Sequence, residues 1–179
     1  MTSQQINHSS TRLRSGYLWT CSHVGLDGAG GDYDGDETGT AVDRSGAQWA
    51  KLQLGSEPNP LTYAATGKVF DAAANSPYNF YMPSLMVNSR GDMVMGFSGS
   101  KSTEYIGAFF TGRLNNGTWL DKPVLIQAGR AYFNRSEWGD YSSTTLDPSS
   151  DLTMWSVQEY AHLAPLDWGT WIAKIRMFQ

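Results

Sequence analysis

The chain has 179 residues, of which 40% are hydrophobic, 13% aromatic and only 17% charged, and its formal net charge is −4. This length suffices for one domain with a buried core, and we predict a single domain over residues 1–179. The negative charge and the scattered basic residues argue against nucleic acid and against an anionic membrane surface as partners.

The N-terminal residues have no charged segment followed by an apolar run, so we predict no signal peptide. No apolar stretch approaches the roughly 20 residues that a membrane-spanning helix needs. We therefore expect a soluble chain, and the sequence does not indicate a compartment.

Short segments with alternating apolar and polar residues follow one another along the chain, separated by turn-forming residues. This period of two predicts β-strands, and no window has helical periodicity. A strand–turn–strand pattern recurs along the chain. Residues 84–95 and 143–154 share a Ser, then an Asn or Asp, then an Asp and finally a Met at identical spacings, and residues 10–19 form a looser copy. Further strands are predicted over residues 47–54, 62–71, 105–114, 122–128 and 169–178.

Each repeat is expected to form one antiparallel sheet, with about four, four and three strands over residues 8–71, 80–128 and 136–179. Repeated four-stranded antiparallel units are typical of β-propeller blades. The sequence therefore predicts an all-β fold made of about three propeller blades. A β-sandwich of about eleven strands is the alternative.

Two aromatic segments of the third repeat are distinctive: WGDYS at 138–142 and WGTW at 168–171. With residues 81–85 and 96–100 of the second repeat, they resemble the C-terminal part of poorly characterised bacterial exported proteins with a sialidase-like, BNR-type β-propeller. The resemblance spans about residues 10–178. It implies a propeller of six or more blades and an exported parent protein, and it implies no particular substrate.

Three blades cannot close a ring, and an open set of blades exposes two apolar faces. We therefore expect a homo-oligomer in which two chains pair head to tail about a twofold axis and complete a six-bladed ring.

One loop carries candidates for catalysis. Glu137, Asp140 and Tyr141 lie close in sequence to Arg135. Paired carboxylates with a tyrosine suit glycoside hydrolysis, and an arginine suits the carboxylate of an acidic sugar. The alternative is a structural role, in which Asp140 binds backbone N–H groups and fixes the turn.

Binding and metal candidates complete the set. Aromatic rings stack on sugars or anchor partners, unless they pack between blades instead. Alternating aspartates on a glycine-rich loop have the spacing of a Ca²⁺ site, with a solvated acidic loop as the alternative. The aromatic candidates are Tyr81, Tyr132, Trp138 and Trp168, and the calcium candidates are Asp32, Asp34 and Asp36.

No complete catalytic set is recognisable in the sequence, so the leading hypothesis is a non-catalytic binding module of propeller type for a carbohydrate or a protein. One alternative is a sialidase-like glycoside hydrolase whose site is completed by oligomerisation. Another is a truncated product of a mobile gene cassette without a selected role. Calcium is the one cofactor that the sequence suggests.

Overall fold

The protein is built from β-strands. The computed structural model has eleven strands and no helix in the residues it describes, and these strands form antiparallel sheets of four, four and three. The predictions of an all-β fold and of this division of the strands are confirmed. Across the described ranges no helix is long and apolar enough to cross a bilayer. Those ranges are 10–32, 42–56, 60–119, 122–135, 137–164 and 167–178.

Each sheet is formed from strands that are consecutive in the chain, and none of the three sheets closes on itself over the described residues. The first sheet contains β1 to β4, the second β5 to β8, and the third β9 to β11. The strands are β1 (Ser10–Arg14), β2 (Tyr17–Leu26), β3 (Arg44–Leu54), β4 (Leu61–Val69), β5 (Asn79–Val87), β6 (Met93–Lys101), β7 (Glu104–Arg113), β8 (Val124–Gln127), β9 (Ser143–Asp147), β10 (Ser150–Ala161) and β11 (Trp168–Arg176).

The first strands of the three sheets lie next to one another, because β5 contacts both β1 and β9. The turns that follow these strands meet as well. Ser15 and Gly16 have φ of 51° and 78°, which suits the two-residue turn between β1 and β2. Arg14 of this hairpin pairs with Asp151, whose carbonyl accepts a bond from Ser89 N–H at 3.1 Å. One turn from each sheet therefore lies at the same end of the molecule.

The first and second sheets are joined by an aromatic core. Trp19 and Trp49 stack with ring centroids 6.0 Å apart, and both are buried with Phe97 of the second sheet. Cys21 lies in the same core, where burial raises the pKa of its thiol to about 12. Burial of this many large apolar side chains makes the interface a major source of stability.

The second and third sheets are joined by polar side chains as well as apolar ones. Ser84 and Thr144 hydroxyls lie 2.8 Å apart, and Gln158 Nε2 donates to the hydroxyls of Ser84 and Ser156, both at 3.0 Å. All four side chains are buried. A Cβ added to Gly96 would overlap Ser156 Oγ and Gln158 Nε2, so glycine allows the network to approach the β6 backbone.

Buried carboxylates fix two of the hairpins. Asp92 is fully buried, and burial alone would raise the pKa of its carboxyl. Hydrogen bonds from Asn88 Nδ2, Asn115 N–H and Arg90 outweigh this effect and hold the pKa below its usual range. In the third sheet, bonds from the Ser149 hydroxyl, the Ser149 N–H and Trp155 Nε1–H lower the pKa of Asp147 to about 2.

These two carboxylates predict acid sensitivity. The unfolded chain titrates aspartate near a pKa of about 3.9, above the folded values, so their contribution to stability is complete above that pH and is lost as pH falls towards the folded pKa. The melting temperature should therefore fall between about pH 5 and pH 2. Scanning calorimetry of the wild type and of Asp147→Asn checks this, because the variant should show a shallower fall. An equal slope in both proteins would contradict it.

Candidate binding site

A cleft lies where the segment before β9 meets the ends of β10 and β11. Tyr141 precedes β9 and Trp168 begins β11, and their rings stack with centroids 4.6 Å apart and an interplanar angle of 16°. The two side chains are 57% and 42% exposed, respectively. A stacked aromatic pair with this much exposed surface is available to a ligand.

A buried carboxylate holds this segment in place. Glu159 of β10 is 3% exposed, and its two oxygens accept the N–H groups of Gly139 at 2.9 Å and of Tyr141 at 2.8 Å. Gly139 has φ of +98° and packs against Met82, so a side chain here would be strained and would overlap its neighbour. The backbone of the WGDYS segment is therefore fixed on both sides of Asp140.

The indole of Trp138 anchors the same segment to the second sheet. Its Nε1–H donates to Ser98 Oγ at 3.0 Å, and Ser98 Oγ donates to the Glu159 carbonyl at 3.2 Å. Phe133 packs against Trp138 edge to face, with centroids 4.7 Å apart. Trp138 thus helps to hold this segment against the second sheet.

The cleft has a volume of about 120 Å³. It brings together all four catalytic candidates and two of the four aromatic candidates, and the carboxylate of Glu159 forms part of its wall. Asp140 also borders a neighbouring cavity, so the segment separates two concave surfaces. The lining residues are Phe133, Arg135, Glu137, Trp138, Gly139, Asp140, Tyr141, Glu159 and Trp168.

The other aromatic candidates lie outside this cleft. Tyr81 is largely buried on β5 and donates to Ser100 Oγ at 3.1 Å, and burial raises the pKa of its hydroxyl to about 12. Tyr132 is 55% exposed but is not part of the cleft wall. A role for either residue in binding stays a prediction.

The calcium prediction concerns a loop that is only partly described. Asp32 forms an ion pair with Lys68 at 2.8 Å, whereas Asp34 and Asp36 lie outside the described residues. Within the residues that the structure does describe, no three acidic, His or Cys side chains are grouped to hold a metal ion. The calcium site therefore stays a prediction.

Sequence reasoning missed Glu159. The sequence does contain a signal for it, because Glu159 stands in a strand segment with Gln158, Tyr160 and Ala161, where a charged residue is unusual. A carboxylate that is buried in such a segment needs hydrogen-bond donors from elsewhere in the chain. Its donors lie 18 to 20 residues earlier in the chain. Only the fold brings them together.

A second cavity lies among the first strands of the three sheets and has a volume of about 230 Å³. Arg12 of β1 reaches across it, and its guanidinium donates to the Thr144 carbonyl at 3.4 Å. The cavity is mostly polar, and each sheet contributes to it or borders it. Its lining residues are Ser10, Arg12, Met82, Pro83, Ser84, Gly139, Asp140, Ser142 and Ser143.

The cleft combines aromatic surfaces with charged groups that form hydrogen bonds. Flat rings of Tyr141 and Trp168 offer stacking surfaces, Arg135 offers a planar fork of donors, and Glu137 offers a carboxylate acceptor. Its arrangement therefore suits a small polar ligand with one apolar face. Comparison of the chain with protein-family models, with curated proteins and with solved structures found no match.

Proposed function

We propose that the chain is a non-catalytic binding module of propeller type that holds a carbohydrate in the cleft beside Tyr141 and Trp168. The observation that carries the proposal is the stacked, exposed aromatic pair next to Arg135 and Glu137. Pyranose rings present C–H groups on one face and hydroxyls at their edges. An aromatic surface bordered by charged hydrogen-bonding groups matches both features.

Preorganisation supports binding at this place. Glu159 and Ser98 fix the backbone and the Trp138 side chain, so the cleft needs little further ordering when a ligand enters. Ordering of side chains and loops is a main cost of association, and a fixed site avoids much of it. Arg135 favours a sugar that carries a carboxylate, since guanidinium and carboxylate pair in a bidentate geometry.

The stacking of the sheets supports the propeller part of the proposal. The second sheet packs on the first with one face and on the third with the other. The first strands are neighbours, and the turns after them meet at one end. Successive meander sheets that pack face to face around neighbouring first strands are the arrangement of propeller blades.

A glycoside hydrolase is the second candidate. Glu137 and Asp140 lie in one cleft with Tyr141 and Arg135, which is the composition expected of such a site. Glu159 is already committed to two backbone N–H groups and is therefore a positioning residue. Turnover of a bound glycan would favour this candidate over the binding module.

The binding proposal predicts a specific loss in Trp168→Ala. Removal of the indole should weaken glycan binding at least tenfold, since a central aromatic anchor contributes about 1.4 kcal/mol or more. Hits from a glycan array that includes sialylated and uronic-acid sugars are to be titrated by calorimetry. Arg135→Gln should weaken binding of the acidic sugars in particular.

Trp171→Ala is the matched control. Trp171 lies on the same strand with 43% exposure, against 42% for Trp168, but it is not part of the cleft. Its removal should leave the affinity unchanged. An array without any hit, or equal losses in the two tryptophan variants, would refute binding in this cleft.

A further inference from the structure

In the part of the chain that the structure describes, one apolar face of the first sheet is not covered by another sheet. The side chains of Leu13, Leu18, Leu52 and Tyr63 form one row across β1 to β4, because each is the cross-strand partner of the next. This row lies on the face opposite Trp19, which packs on the second sheet. Leu13 and Tyr63 are 66% and 76% exposed.

The third sheet likewise has one face that no other described sheet covers. Val157 of β10 and Ile172 of β11 are cross-strand partners on the side away from the second sheet, and Ile172 is 60% exposed. Trp155 lies on the same side, with Lys174 Nζ 5.2 Å from its ring centre. Ala173 and Ile175 point the other way and pack on the second sheet.

The two interfaces inside the chain show what covers such faces. The pair Leu85 and Met95 of the second sheet is fully buried against the first sheet, and Met154, paired with Leu146, is buried against the second. The second and third sheets thus each place a leucine–methionine pair of their first hairpin against the sheet that precedes them. In the first sheet, the corresponding leucine pair, Leu13 and Leu18, faces no other sheet among the described strands.

We infer that a second copy of this chain covers both faces, with the third sheet of each copy packed on the first sheet of the other. Within the chain, the second sheet packs on the first and the third on the second. If the same packing continues, a third sheet lies against the open face of a first sheet. Propellers have about four to eight blades, and six is the one multiple of three in that range. Two copies therefore close the ring with two identical head-to-tail contacts about a twofold axis.

The second copy also completes the polar surfaces described above. The cavity at the first strands lies towards the axis of such a ring, so Arg12 of one copy faces the same central space as Arg12 of the other. Trp168 lies on the same face of β11 as Ile172, so the first sheet of the partner copy borders the cleft. The inference rests on the propeller arrangement proposed above and not on the nature of the ligand.

Mass measurements on single variants and on their mixture test this dimer. At micromolar concentration, sedimentation equilibrium should give twice the chain mass of 19.7 kDa. Leu13→Glu and Ile172→Lys alter exposed side chains on opposite open faces, and each variant alone should be a monomer. An equimolar mixture should return to the dimer, because one of its two contacts then joins two wild-type surfaces and the other joins Glu to Lys.

Tyr105→Glu is the control, because Tyr105 is 51% exposed on β7 of the second sheet, which has both faces covered within the chain. It should remain a dimer. A monomeric wild type would overturn the inference, as would a dimer that either single variant leaves intact. A mixture that stays monomeric would overturn the head-to-tail arrangement. None of these readings involves a glycan, so they are independent of the binding experiment.

Discussion

Replacement of Gly96 by alanine should lower the free energy of unfolding by about 3 kcal/mol. The new Cβ would overlap Ser156 Oγ and Gln158 Nε2 and lie 2.9 Å from Gln158 Cδ. Both partners are buried in the hydrogen-bonded network with Ser84, so they cannot move without leaving polar groups unpaired. For a chain of this length the melting temperature should fall by roughly 6–12 °C.

Two further variants separate the steric effect from a general effect of alanine. In Gly28→Ala the new Cβ would approach Arg44 Nη2 only to 3.2 Å, so this variant should lose much less stability than Gly96→Ala. Addition of Ser156→Ala to Gly96→Ala removes the nearest oxygen, so the double variant should be less destabilised than the sum of the two single variants. Additive losses would contradict the contact described here.

Removal of the Glu159 carboxylate should disturb stability and binding together. In Glu159→Ala the N–H groups of Gly139 and Tyr141 lose their acceptor in a buried setting. At about 1–3 kcal/mol for each of the two unpaired groups, the free energy of unfolding should fall by roughly 2–6 kcal/mol. The WGDYS segment would lose its fixed position, so Glu159→Ala should lower the affinity for a glycan more than Glu137→Gln does.

Glu104→Ala is the matched control for this change. Glu104 is an exposed glutamate that pairs with Lys101 at 2.8 Å, and such surface pairs contribute about 1 kcal/mol or less. Urea titrations monitored by tryptophan fluorescence give the free energies, and calorimetry gives the affinities. If Glu159→Ala were no less stable than Glu104→Ala, the assignment of Glu159 as the residue that positions the loop would be wrong.

The strands of the first and third sheets could be predicted from the sequence because each of these two sheets has one face in the core. Alternation along residues 47–54 and 169–178 anticipated β3 and β11 to within a few residues at each end. The length of β10, which continues to Ala161, was not anticipated, because the buried run Gln158 to Ala161 has no polar alternation. The irregularity of β5, where Met82 has φ of 52°, was also not indicated by any local pattern.

The site was predictable in composition but not in geometry. Arg135, Glu137, Asp140 and Tyr141 are close in the chain, so their clustering in one cleft follows from local sequence. The partner of Tyr141 is Trp168, 27 residues later, and only the pairing of β10 with β11 brings its ring over the tyrosine. Contacts of this kind depend on strand register, which one sequence specifies only through the complete fold.

The two interfaces between the sheets have different physical characters. The aromatic one, around Trp19, Trp49 and Phe97, gains cohesion from buried area, which is insensitive to small displacements. The other interface contains hydrogen bonds among the Ser84 hydroxyl, the Thr144 hydroxyl and the Gln158 amide. Because these bonds are directional, a shift of one residue in register would leave these groups without their partners. The third sheet is thereby held in register with the second, which keeps Trp138 Nε1–H within hydrogen-bonding distance of Ser98 Oγ beside the cleft.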